Sequence, residues 1–152
     1  MEPIRRFSPE LVSEALESWS FLDLVDKAPL FASPFGDLFF QADDGFWFLD
    51  AVGGDLSRRW ATEQELSASL NSAQGQDEYL MLGLAAQAEE LGLRPSSSEV
   101  FGFRVPPVLG GAVDVGNVEV GDFVVTINLA GQIHAQVREL PPGTQVNGIT
   151  LT

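Results

Sequence analysis

The sequence contains one histidine, His134, and no cysteine. Thiolate zinc sites, iron–sulfur clusters, disulfide frameworks and cysteine nucleophiles are therefore excluded together. His134 has no second histidine with which to share a metal. Serines and aspartates are plentiful, so a Ser–His–acid arrangement can be written down, but no serine sits in the Gly-x-Ser-x-Gly elbow that exposes a hydrolase nucleophile. The expectation for His134 is packing or hydrogen bonding, with Gly131 at a backbone constraint; a small hydrolase using His134 is the enzymatic alternative. Gly53-Gly54 and Gly110-Gly111 lack the Gly-Lys-Ser/Thr of a phosphate-binding loop and read as tight turns. Asp43-Asp44-Gly45 lacks the ligand spacing and closing glutamate of a calcium loop. Carboxylates are numerous, yet nothing positions two of them as a glycosidase pair. No catalytic, cofactor-binding or metal-binding residue is expected, and the chain is read as a protein that works by binding another protein.

Charge supports that reading. The 152 residues carry a net −14, from 22 acids and 8 bases. The imbalance is graded: −7 over residues 1–50, −5 over 51–100 and −2 over 101–152. Such a field repels nucleic-acid phosphates and acidic lipid headgroups and speeds encounter with a basic partner. Direct nucleic-acid or membrane binding is not expected, although acidity also serves plain solubility. With 45% apolar residues, eleven Phe and three Trp, the chain can build a core without staples. The arginines near the start have no apolar run behind them, so no signal peptide is read there, and no stretch reaches the ~18 apolar residues of a membrane span. A soluble, cytoplasmic protein is expected.

The elements follow from local signals. Ser8-Pro9-Glu10 reads as a helix start, with Ser8 as N-cap, Pro9 in the first turn, and an apolar face of Leu11, Val12, Ala15, Leu16 and Trp19. Ala28 to Phe35, with two prolines, reads as a connection. Gly36–Gln41 and Phe46–Val52 are aromatic-rich strands joined through Asp44-Gly45, a hairpin signal. Gly53-Gly54-Asp55 turns the chain into a third short strand, Leu56 to Ala61. Thr62 and Glu65 fit a capping box opening a helix with Leu66 and Leu70 on one face. Gln74-Gly75-Gln76 is read as its break. A longer helix should follow, carrying Tyr79, Leu80, Leu82, Ala86 and Leu91 and stopping at Gly92 before Pro95. Glu99 to Val105 and Asn117 to Asn128 read as strands, the second with a bulge or turn at Gly121, and Leu129 to Leu140 reads as helix. Grouped rather than alternating elements predict one α+β domain over 1–152, with a predominantly antiparallel sheet flanked by helices.

Alternation along the hairpin puts Phe46 and Phe48 on one face and Trp47 on the other. Either both faces are covered, which the available helices favour, or Trp47 joins an interaction surface. The hairpin and its following turn should also bring Asp43, Asp44, Asp50 and Asp55 to exposed ends of the sheet. These four and Trp47 are the candidate partner-binding residues. Each aspartate also has an ordinary role in a turn or at a strand end.

The order of motifs resembles a known family. The pieces are Gly36-Asp37-Leu38-Phe39-Phe40, Gly45-Phe46-Trp47-Phe48-Leu49-Asp50, Val100-Phe101-Gly102-Phe103-Arg104-Val105-Pro106-Pro107 with Gly110-Gly111, Asn117-Val118-Glu119-Val120, Gly131-Gln132-Ile133-His134-Ala135-Gln136-Val137 and Leu140-Pro141-Pro142-Gly143-Thr144. The series is similar to the Tdi-type immunity proteins of type VI secretion DNase effectors, which combine a GAD-like N-terminal region with a Tdi C-terminal domain. The likeness spans residues 35–144, with 1–34 a looser N-terminal helical region. It departs from the family pattern at Val100-Phe101, Arg104 and Ala112-Val113, where a Cys-Tyr pair, a Lys, and an acid with an aromatic are usual. The resemblance implies a cytosolic antidote that binds a cognate nuclease toxin and blocks it, needing no cofactor. A protein-binding adaptor outside immunity is the alternative. A DNase needs a basic phosphate-binding surface, so the charge argument points the same way.

Overall fold

Ser8 and Pro9 start the first helix as their types predict. The Ser8 hydroxyl accepts the Leu11 N–H at 3.3 Å, and α1 runs Pro9–Leu16. A 3₁₀ turn, Glu17–Trp19, carries it on and delivers Trp19 fully buried. The computed structural model describes residues 2–141, 143–146 and 148–152. Pro142 of the Leu140–Thr144 motif lies outside the described residues.

Next, where two prolines point to a connection, comes a strand. β1 (Ala28–Ala32) contains Pro29, which cannot donate to a ladder, but β1 is the edge of its sheet and its register shifts between Pro29 and Phe31. An edge with an irregularity is where a strand tolerates proline. β2 (Leu38–Ala42), β3 (Gly45–Asp50) and β4 (Asp55–Trp60) follow in order, and all neighbours are antiparallel.

The pairing Phe39↔Phe48 and Phe40↔Trp47 sorts the aromatics by face. Leu38, Phe40, Leu49 and Trp47 pack toward α1 and the last helix, while Phe39, Phe46, Phe48 and Trp60 pack toward Leu66, Tyr79 and Leu80. Both faces are therefore covered. In the β2–β3 turn the positive φ falls on Gly45 at 134°, not on either aspartate.

Thr62 caps α2 (Glu63–Leu70), its hydroxyl accepting the Glu65 N–H at 3.2 Å. The Glu65 carboxylate reaches one residue further back than a standard capping box and accepts the Ala61 N–H at 2.7 Å. Gln74-Gly75-Gln76 does not break a helix. The break is at Asn71-Ser72, Ser72 caps α3 (Ala73–Leu80), and Gly75 is inside it because a Cβ there would run into the Ser69 carbonyl. Nor is the next stretch one long helix. Met81 takes φ 48° and separates α3 from α4 (Leu82–Glu90), which ends before Gly92 as expected.

β5 (Glu99–Phe103) and β6 (Val118–Asp122) form a separate antiparallel pair. β6 stops six residues before the expected Asn128. The Asp122 carboxylate accepts the Val125 N–H at 3.0 Å and starts α5 (Phe123–Val137). The β-branched run Val124–Ile127 has strand propensity, but a cap and burial of Phe123 and Ile127 override it. Gly121 sits in regular register opposite Val100, not at a bulge; its missing Cβ leaves room for Thr126 of α5.

The result is an α+β protein with five α-helices and two antiparallel sheets among the described residues. α1, the four-stranded sheet and α5 share one apolar cluster centred on Trp19, Phe40, Leu49, Phe123 and Ile127. No described helix is long and apolar enough to cross a membrane.

Candidate functional site

The turn between β1 and β2, Ser33-Pro34-Phe35-Gly36-Asp37, folds around the Ser33 hydroxyl. That oxygen accepts the N–H groups of Phe35 and Asp37, both at 3.1 Å, and donates its own proton to Asp37 Oδ2 at 2.8 Å. Asp37 Oδ1 accepts the Ala51 N–H at 2.8 Å from the end of β3. On the far side of the same residue, the Ala51 carbonyl accepts the Nε2–H of His134 at 3.0 Å, which puts the imidazole proton on Nε2. A buried relay thus ties the β1–β2 turn, the β3–β4 turn and α5 together, and Ser33, Asp37 and His134 are all buried. Burial and, second, the charge of Asp50 push the Asp37 carboxyl up to about 7; the Ser33 and Ala51 hydrogen bonds pull the other way.

His134 is wedged between Trp19, whose ring centroid lies 5.6 Å away, and the β3–β4 turn. A Cβ on Gly54, where φ is 79°, would fall 2.6 Å from His134 Cγ. No hydrogen bond joins His134 to a serine or a carboxylate among the described residues. The three-residue geometry that a hydrolase needs is not assembled there. Removing the ring should leave a void over Gly54 and an unpaired Ala51 carbonyl. We expect His134→Ala to lower stability by about 2–3 kcal/mol in urea unfolding, and to leave partner binding intact in the folded fraction. An unchanged midpoint would mean that the ring holds nothing together.

The candidate residues read from sequence fall into two groups. Asp43 and Asp44 are exposed at the β2–β3 turn, and Asp50 and Asp55 face each other across β3–β4. At ~3.4 Å per residue the length of β3 separates the groups by roughly 17 Å, so they do not form one patch. Asp44 is engaged: its carboxylate accepts the Trp47 indole N–H at 2.8 Å, and its carbonyl accepts Arg58 Nε at 2.6 Å. Trp47 is half-buried, with Lys27 Nζ 4.2 Å above its ring centroid. Asp50 Oδ1 accepts the N–H groups of Val52 and Gly53 at 3.0 and 2.9 Å, so it shapes the turn.

Two features escaped the sequence reading. One is the buried pair Ser33 and Asp37, whose only signal is a serine four residues before an aspartate across a Pro–Gly turn. The other is a cleft of about 420 Å³ beside His134, with Phe103, Val108, Val125, Ile133 and Leu151 among its walls. Val125, also on α5, is 54% exposed there. No group of three or more His, Asp or Glu side chains is placed to hold a metal ion among the described residues.

Fold and site define an α+β protein whose buried polar side chains bond inward, to backbone and to each other. Within it, residues 61–134 match the family model described as T6SS immunity protein Tdi1, C-terminal. Over that stretch, from the residue before the α2 cap to His134 in α5, the chain is similar to this family of type VI secretion immunity proteins. No curated protein matches the chain. The hairpin residues 36–50 and the part of α5 beyond His134 lie outside the matched stretch.

Proposed function

We propose that this protein is an immunity protein that binds and neutralises a cognate toxin of a type VI secretion system, acting by binding and not by catalysis. The match over residues 61–134 carries this reading. We further propose that the toxin is a nuclease with a basic, phosphate-binding surface, met in the cytoplasm. The net charge of −14 supports this, since an acidic inhibitor gains association rate and selectivity against such a surface. The same reading takes residues 1–152 as one domain, supported by the apolar cluster shared by α1, the sheet and α5.

Genomic neighbourhood and co-expression test the proposal: a toxin gene next to this one is expected, and its absence would favour the adaptor. Protection of growth and a stable one-to-one complex are expected. Recovery only of an endogenous bacterial protein would favour an adaptor, and a toxin without nuclease activity would remove the finer claim.

The acidic residues can be tested on that complex. Changing Asp43, Asp44, Asp50 and Asp55 together to Asn keeps the side-chain oxygens that form the turns but removes four charges. Association should slow roughly tenfold at low salt and lose much of its salt dependence, with little change in fold stability. Trp47 is half-buried, with its indole N–H held by Asp44 and Lys27 over its ring. Equal rates and equal salt slopes would take these residues out of the interface.

A further inference from the structure

Seven large apolar side chains are exposed among the described residues, and four of them gather round the cleft beside His134. Val125 and Leu151 line it, and Val105 lies between two further wall residues, Arg104 and Pro106. Val113 is brought alongside by Asn117, whose Nδ2 donates to the carbonyls of Val105 and Ala112 at 2.8 and 2.9 Å. Single exposed valines are ordinary; several round one cleft mark a contact surface.

Two charges on the rim of this cleft are unmatched within the chain. Arg104 is the one base of eight whose side chain has no partner among the described residues. The other seven each reach a carbonyl, a hydroxyl, an aromatic ring or a carboxylate. Glu119, also exposed, has no described partner either. The neighbouring acids are committed: Asp114 Oδ1 accepts the Gly116 N–H at 3.1 Å, and Asp122 Oδ2 accepts the Val125 N–H at 3.0 Å. Glu119 pairs in register with Gly102, and two steps along the ladder the Arg104 N–H donates to the Asn117 carbonyl at 2.9 Å. Alternation therefore sets both side chains on the face of β5–β6 that borders the cleft.

We propose that this face is where two copies of the chain meet, about a two-fold axis that places Arg104 of each copy against Glu119 of the other. A two-fold contact is self-complementary: where residue i meets j, j meets i. One free base and one free acid beside a shared apolar wall supply that pattern. Charge favours a second copy over a basic partner at this place. A basic surface would satisfy Glu119 and repel Arg104, whereas a second copy satisfies both. Residues 101–152 also carry only −2 of the net −14, so like-charge repulsion between copies is least on this part of the chain. Val105, Val113 and Val125 then leave water against their counterparts. The inference stands apart from the immunity reading, and it leaves the one-to-one ratio expected with a toxin unchanged.

The test is the mass of the full-length chain in solution, by light scattering after gel filtration. It is run at about 100 µM, so that association in the micromolar range is seen. Twice the 16.4 kDa chain mass is expected for the native sequence. Arg104→Glu and Glu119→Arg should each return the single-chain mass, because either change sets like charges against each other on both sides of the axis. Mixed in equal amounts, the two variants should recover the doubled mass, since one copy then presents two acids and the other two bases. Both residues are exposed, so circular dichroism should be unchanged in either variant. Val125→Asp should raise the dissociation constant about tenfold or more by placing a charge in the apolar contact. A native chain at the single mass, with Arg104 and Glu119 pairing only with each other, would overturn the proposal. So would single variants that stay doubled, or a mixture that stays single. Failure to protect cells from a toxin would overturn the immunity reading alone.

Discussion

Replacing Asp37 with asparagine should change the pH dependence of stability by up to about 4 kcal/mol between pH 4 and pH 8. Asp37 is 2% exposed and its carboxyl is pushed from 3.8 up to about 7, chiefly by burial and then by Asp50. A folded-state value above the unfolded one means that the native protein holds the proton more tightly. Between pH 4 and pH 7 the folded state therefore binds more protons than the unfolded state, and stability falls as pH rises. The contribution is complete below the unfolded value and lost as pH passes through about 7. Three pH units at ~1.4 kcal/mol each give the figure of about 4 kcal/mol. Asparagine keeps an oxygen for the Ala51 N–H but cannot ionise. The difference in unfolding free energy between variant and wild type, measured in urea at pH 4.5, 6 and 8, should therefore move steadily in favour of Asp37→Asn. Taking the difference cancels the other acids, whose repulsion also varies with pH. Asp50→Asn should narrow the window, since it removes the second cause. A constant difference across the three pH values would show that Asp37 stays ionised throughout.

That carboxyl also marks the limit of what the sequence reveals. Asp37 is one of 22 acids, and nothing local distinguishes it from Asp43 or Asp44. Its burial depends on Ala51 closing over it from the end of β3, a contact 14 residues away. The cleft is hidden for the same reason, because its walls come from β5–β6, α5 and the segment ending in Thr152. Signals carried within a few residues were legible: the Ser8 cap, the Thr62 cap, the β2–β3 hairpin and the stop near Gly92. Errors arose where tertiary position overrode a local rule. Pro29 is accepted because β1 lies at an edge, Gly75 is required inside a helix by the approach of Ser69, and the β-branched start of α5 is held helical by Asp122 and by burial. The candidate acids were located at the sheet ends as expected, but only the structure shows that β3 separates them into two groups and that Asp44 and Asp50 already serve turns and Trp47.

Gly131 is the place where one side chain should do the most damage. α1 and its following turn lie directly on α5: Trp19 Nε1 donates to the Ile127 carbonyl at 2.9 Å and Ser18 Oγ to the Asn128 carbonyl at 2.6 Å. Gly131, one helical turn on, faces both donors. A Cβ there would meet Ser18 Oγ and would lie 2.7 Å from Trp19 Nε1 and 2.8 Å from its Cδ1. The constraint is space and not backbone conformation, because Gly131 is an ordinary helical residue without positive φ. Leucine is a good helix former, favoured over glycine by up to ~1 kcal/mol in a helix interior, so Gly131→Leu isolates the steric conflict. Trp19 is fully buried and cannot swing away. Overpacking of a tight core costs about 1–3 kcal/mol, sometimes more, and losing two hydrogen bonds between the elements adds to it, so a net loss of about 3 kcal/mol is expected in urea unfolding. Trp19→Ala alone should cost about 3–5 kcal/mol through the cavity it leaves. The two changes should not add. In the double variant the leucine enters the space vacated by the indole, and the combined loss should fall short of the sum by more than 1 kcal/mol, the coupling expected of residues in direct contact. Additive losses would show that Gly131 and Trp19 do not compete for the same volume, and that the close approach of α1 to α5 is not what requires glycine at this position.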